Sequence, residues 1–68
     1  MRMIKVPSGY LNAFGYDPDS KVLRIIFPAG EYIHVDIPQN IYDGLLTAHS
    51  KDFFYRRHIT QYPIRKEN

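Results

Sequence analysis

The sequence predicts a small α+β domain, a three-stranded antiparallel meander followed by two short helices packed on one of its faces, in the order β-β-β-α-α. Three observations predict it. Residues 10–36 hold β-branched and aromatic segments separated by short turns rich in Pro, Gly and Asp. From Pro38 onward, Ile41, Leu45 and Ala48 recur at the spacing of one helix face. The two patterns meet in Gly30-Glu31-Tyr32-Ile33-His34-Val35-Asp36-Ile37-Pro38, which reads as a turn, a strand and the launch of a helix.

Length makes this one domain. The chain has 68 residues, with 1–8 and 64–68 expected as loose termini. A chain this short buries only about 60% of the surface its unfolded form exposes. It has no cysteine, which removes disulfides and any cysteine-based zinc site. Packing must therefore hold it, and six tyrosines and four phenylalanines are available for that. Each can bury roughly 150–250 Å².

Taken in order, Pro7-Ser8-Gly9 is turn chemistry ahead of a first strand. In Tyr10-Leu11-Asn12-Ala13-Phe14-Gly15-Tyr16, the aromatics fall on one side and Leu11, Ala13 and Gly15 on the other. Asp17-Pro18-Asp19-Ser20 then turns the chain, with Asp able to bond the backbone and Pro presetting φ. Lys21 to Phe27 is the second strand, with Leu23, Ile25 and Phe27 on one face and Val22, Arg24 and Ile26 on the other. Pro28-Ala29-Gly30 turns again, and Glu31 to Asp36 is the third strand. Connections this short favour antiparallel neighbours. Pro38 suits a first helical turn, where its missing N–H costs nothing. Gly44 interrupts that helix at up to ~1 kcal/mol relative to alanine, a cost that close approach to a neighbouring backbone would explain. Ser50 is the expected N-cap of the second helix, Asp52 complements its dipole, and Arg56, Arg57 and His58 occupy its last turns.

The formal net charge is only +2, but its distribution is uneven. Residues 51–68 carry Lys51, Arg56, Arg57, Arg65 and Lys66 against Asp52 and Glu67, a net of +3. That permits an anionic partner without requiring one. No apolar run approaches the ~18 residues that cross a membrane. The start of the chain is too short and too polar to read as a secretory signal, so the expected location is the cytoplasm. No nucleophile elbow, Gly-rich phosphate loop or His-Glu-x-x-His motif is present, and no His/Asp grouping has a standard metal-ligand spacing. The expectation is a non-enzymatic protein with no cofactor and no metal.

The residues with binding chemistry are few. Tyr32 and His34 share one side of a strand, where rings can stack on bases. Core packing for Tyr32 and a hydrogen-bonded, partly buried position for His34 explain the same pattern. Arg56, Arg57 and His58, joined by Lys51, Arg65 and Lys66, can hold phosphates, or be a solvated helix face with cations at its end. Arg24 stands between Val22 and Ile26 and marks the more open sheet face, as a ligand contact or as a guard against edge pairing. The stripe Tyr10, Asn12, Phe14 and Tyr16 reads more readily as core or interface than as a stacking platform.

From Ser8 to Tyr62 the chain resembles the KTSC domain, found at the C-terminus of some lysyl-tRNA synthetases and as a free-standing bacterial or phage protein. The resemblance rests on Gly15-Tyr16-Asp17, on Leu23, Ile25 and Phe27, and on Gly30 with Tyr32. It continues through Ile37-Pro38, Tyr42, Leu45, Ala48 and Ser50 to Phe53-Phe54, Ile59 and Tyr62. Two positions depart from the family pattern. His34 stands where a second tyrosine is usual, and Asp52 where a small residue, commonly glycine, is expected. The resemblance implies RNA as the ligand, through Arg24, Arg56 and Arg57 to phosphates and Tyr32 or His34 to bases. Two alternatives stay open: an oligomer that traps a nucleotide-derived small molecule with the same residues, and a protein–protein adaptor built on the aromatics.

Overall fold

The structure, a computed structural model, describes residues 2–6 and 10–67. The expected Pro7-Ser8-Gly9 turn lies outside the described residues. The sheet has five strands rather than three: β1 Met3–Lys5, β2 Ala13–Asp17, β3 Val22–Phe27, β4 Gly30–His34 and β5 Ile64–Glu67. Every neighbouring pair is antiparallel and the strands lie in chain order. The two added strands lie in the termini expected to be loose. They are short, and each adds a row of ladder bonds to an edge of the central meander, which leaves fewer unpaired backbone groups there.

The register fixes two faces. Phe14 lies opposite Ile25, Tyr16 opposite Leu23, Leu23 opposite His34 and Ile25 opposite Tyr32. These residues point to the helical side, and Phe14, Leu23 and Ile25 are fully buried there. Phe14 and Tyr16 thus belong to the core. The Tyr16 hydroxyl donates to the Ile37 carbonyl at 2.5 Å, and its ring stacks on Tyr42 with centroids 4.5 Å apart. The other face carries Ala13, Gly15, Val22, Arg24, Ile26 and Ile33. No helix among the described residues packs on it.

Helix α1 runs Gln39–Thr47 behind Pro38, and α2 runs Lys51–Phe54 behind Ser50, whose hydroxyl accepts the Phe53 N–H at 3.3 Å. Leu45, Tyr55 and Ile59 are the buried helical residues of the core, with Ile41, Tyr42 and Phe54 packed against it. From Tyr55 to Ile59 the helix widens into a π turn, closed by the Thr60 N–H on the Tyr55 carbonyl. Gly44 does face a close neighbour, but it is the Phe54 ring rather than a backbone: a Cβ there would lie 2.5 Å from Cζ.

Candidate functional site

Aromatic residues from four parts of the chain meet at one end of the helical face. They enclose a cleft of about 510 Å³ lined by Tyr10, Phe27, Pro28, Ala29, Tyr32, Tyr55 and Ile64. Small-molecule sites commonly occupy ~300–1,000 Å³. Each wall has a local cause. Tyr32 alternates inward from β4, opposite Ile25 on one side and Lys66 on the other. Phe27 ends β3, meeting the rings of Tyr10, Tyr32 and Tyr55 edge-on at 5.5, 5.6 and 5.6 Å between centroids. Pro28-Ala29 is the turn beyond it and forms the lip. Tyr10 is held by its backbone, whose N–H donates to Asp52 Oδ2 at 3.1 Å. Asp52, one of the two departures from the family pattern, thus fastens a wall of the cleft.

His34 lies beneath this cleft rather than in it. It is 1% exposed. Its Nδ1 is 3.1 Å from the Tyr62 carbonyl, and its Nε2 is 2.8 Å from the Tyr55 hydroxyl. A carbonyl only accepts, so Nδ1 carries the proton. Nε2 of the neutral ring is then an acceptor, and the Tyr55 hydroxyl donates to it. Both ionisations are suppressed by burial. Desolvation lowers the His34 pKa from 6.5 against the raising effect of the Tyr62 and Pro63 backbone bonds. Desolvation, with the nearby Tyr10 phenol adding to it, pushes the Tyr55 phenol up to about 12. At neutral pH both partners are uncharged.

Cations stand at the rim. The Arg56 guanidinium lies 5.3 Å from the Tyr10 ring centroid, a cation–π geometry. Lys66 faces Tyr32 across the β4–β5 pair, and its stem passes Gly30, where a Cβ would lie 3.7 Å from Cε. Gly30 has φ of 151°, so the lip of the cleft also asks for glycine on backbone grounds.

Of the five residues singled out in the sequence, three come together. Tyr32 lines the cleft, His34 braces its floor and Arg56 stands at its rim. Arg24 is on the opposite face of the sheet, ion-paired with Glu31. Arg57 is exposed and makes no ion pair among the described residues. Sequence reasoning missed Phe27, Tyr55 and Ile64 as site residues, grouped Lys66 with the cations that can hold phosphate without placing it beside Tyr32, and placed Tyr10 in a packing stripe. Phe27 reads there as an ordinary strand position beside Leu23 and Ile25, and Tyr55 carries no signal that sets it apart. Ile64 and Lys66 belong to β5, and without that strand nothing brings them near Tyr32.

Among the described residues no group of three or more His, Asp or Glu side chains is placed to hold a metal ion. No helix among them is long and apolar enough to cross a membrane.

The KTSC domain profile matches residues 7–62, most of the chain. The chain belongs to the KTSC domain family. Its backbone closely follows the crystal structure of a KTSC domain protein from Yersinia pestis, with a TM-score of 0.93, 29% identity, and coverage of 98% of this chain and 97% of that one. A protein of Tsukamurella paurometabola is 36% identical over 53 residues, which is 76% of this chain and 79% of the relative. The KTSC fold thus extends beyond the three strands and two helices expected from the sequence. The close match over nearly the whole of both chains includes the terminal strands β1 and β5.

Proposed function

We infer that this KTSC domain is a non-enzymatic binding module for a nucleotide-type ligand. One base inserts in the aromatic cleft and its phosphate meets the Arg56 side of the rim. The observation that carries this reading is the cleft itself. It has room for one heteroaromatic ring, walls of Tyr10, Phe27 and Tyr32, and a guanidinium already against one of them. Base–aromatic stacking contributes about 1–3 kcal/mol per base. A phosphate contact from arginine adds a charge-assisted bond.

Arrangement of charge favours a single nucleotide unit over a length of RNA. Lys5, Arg24 and Arg65 belong to the face of the sheet turned away from the cleft. They form no track with Arg56 and Lys66 along which several phosphates could run. Titration calorimetry with nucleoside monophosphates and with short single-stranded RNA, each at two salt concentrations, tests this. The expected result is one site per chain and a shallow salt dependence, since a single phosphate releases few counterions. An RNA track would give a log–log slope near −0.7 per phosphate contacted, summed over several contacts. Affinity for RNA with that steep slope, and none for monophosphates, would overturn the single-nucleotide reading.

A further inference from the structure

We propose that the floor of the cleft is an obligate hydrogen-bond acceptor, set by His34, and that it selects bases carrying an exocyclic amino group over their oxo counterparts. The proposal rests on the nucleotide reading above and names which bases that site prefers.

The chain of hydrogen bonds leaves one polarity available. His34 Nδ1–H donates to the Tyr62 carbonyl at 3.1 Å, so Nε2 has a lone pair and no proton. The Tyr55 hydroxyl, 2.8 Å away, must spend its single proton on that lone pair. A phenolic oxygen accepts as well as donates, and the Tyr55 oxygen accepts from no described residue. Tyr55 is 2% exposed and is one of the residues lining the cleft, and we place its hydroxyl at the floor. What it offers a ligand is acceptor capacity alone. An amino group at the ring edge satisfies it, whereas a carbonyl set there meets another oxygen and loses a hydrogen bond.

The other side-chain hydroxyls on the walls do not set such a preference. The hydroxyls of Tyr10 and Tyr32 bond to no described residue, so each rotates to donate or accept as a ligand requires. Among the three tyrosine hydroxyls of the cleft, that of Tyr55 is the one held in a fixed sense. Its position is itself unusual, because Tyr55 opens the π turn, and such turns often occur at functional sites. His34 is therefore a positioning residue. It touches no ligand and acts through the hydrogen bond it accepts from the Tyr55 hydroxyl.

Two matched pairs of ligands test this on the intact protein: AMP against IMP, and CMP against UMP. The amino member of at least one pair is expected to bind roughly tenfold tighter at pH 7.5, with the discrimination reduced to about twofold in Tyr55→Phe. Because Tyr55→Phe leaves His34 Nε2 unpartnered and can weaken the fold, a second measurement uses the unmodified protein. The long-range proton–nitrogen NMR spectrum of His34 is expected to show Nδ1 protonated and Nε2 bare. Equal affinity for both members of both pairs overturns the proposal while leaving the nucleotide site intact. Protonation at Nε2 overturns it whatever binds. Binding of none of the four nucleotides removes the nucleotide reading and this preference with it.

Discussion

At the scale of single residues, His34 gives the molecule a pH dependence whose sign follows from its surroundings. Burial holds its pKa below 6.5, and the groups around it are uncharged: the Tyr55 phenol and the backbone at Tyr62 and Pro63. Above pH 6.5 the ring is neutral folded or unfolded, and its contribution to stability is complete. As pH falls below that value the unfolded chain takes up the proton first, so stability is lost until the folded pKa is passed. The urea midpoint is expected to drop between pH 7.5 and pH 5.5, and His34→Gln, which does not titrate, to flatten that drop. An unchanged drop in the variant would assign it to other groups. Tyr16 raises a different question, since its hydroxyl satisfies the buried Ile37 carbonyl where β4 gives way to α1. Tyr16→Phe removes only that oxygen. It is expected to cost about 1–3 kcal/mol of unfolding free energy in urea melts, because the carbonyl loses its partner.

At the scale of elements, Gly44 shows where local propensity and packing disagree. Propensity alone says that alanine in mid-helix gains up to ~1 kcal/mol. The Phe54 ring says otherwise, because an added Cβ lies 2.5 Å from Cζ and 2.8 Å from Cε2. The half-buried Phe54 ring also packs on His58, with centroids 4.5 Å apart, so its retreat disturbs that contact, and overpacking costs about 1–3 kcal/mol. Gly44→Ala is therefore expected to lower the melting temperature, and Gly44→Ala with Phe54→Leu to recover part of it. The same contrast explains what was legible in the sequence. β2 to β4, α1 and the Ser50 cap were readable, because alternation, helical spacing and capping chemistry are local signals. β1 and β5 were not. Each has three or four residues, and each exists because the meander offers an open edge to pair with. The π turn was equally hidden, since Tyr55–Ile59 carries no residue that forces a widened helix. The cleft inherits these gaps. Tyr32 was visible as an aromatic on a strand, whereas Ile64 and Lys66 enter only once β5 is laid against β4. The role of His34 was half legible. Burial with a hydrogen bond fits its type, but its partner Tyr55 is 21 residues away and set by the π turn.

At the scale of the whole molecule, the sheet separates two chemistries that the sequence lists side by side. Helices, aromatic cleft, Arg56 and Lys66 belong to one face; Arg24 with Glu31, Val22, Ile26 and Ile33 belong to the other. The Arg24–Glu31 pair is about one-third exposed on both partners, so it contributes at most ~1 kcal/mol to stability. Removing it should therefore leave the fold standing. That makes Arg24→Ala and Arg56→Ala a matched pair, each deleting one guanidinium from one face. If the ligand occupies the cleft, Arg56→Ala weakens nucleotide binding about tenfold, the loss of one charge-assisted contact. Arg24→Ala changes it by less than twofold, since the sheet lies between Arg24 and the site. Urea melts of the two variants should stay close to that of the parent chain, so that the difference in affinity is not one of folding. A loss of binding confined to Arg24→Ala would move the site to the open sheet face. Equal losses in both would mean a ligand long enough to wrap the sheet edge, which is the signature of an extended polyanion rather than a single nucleotide.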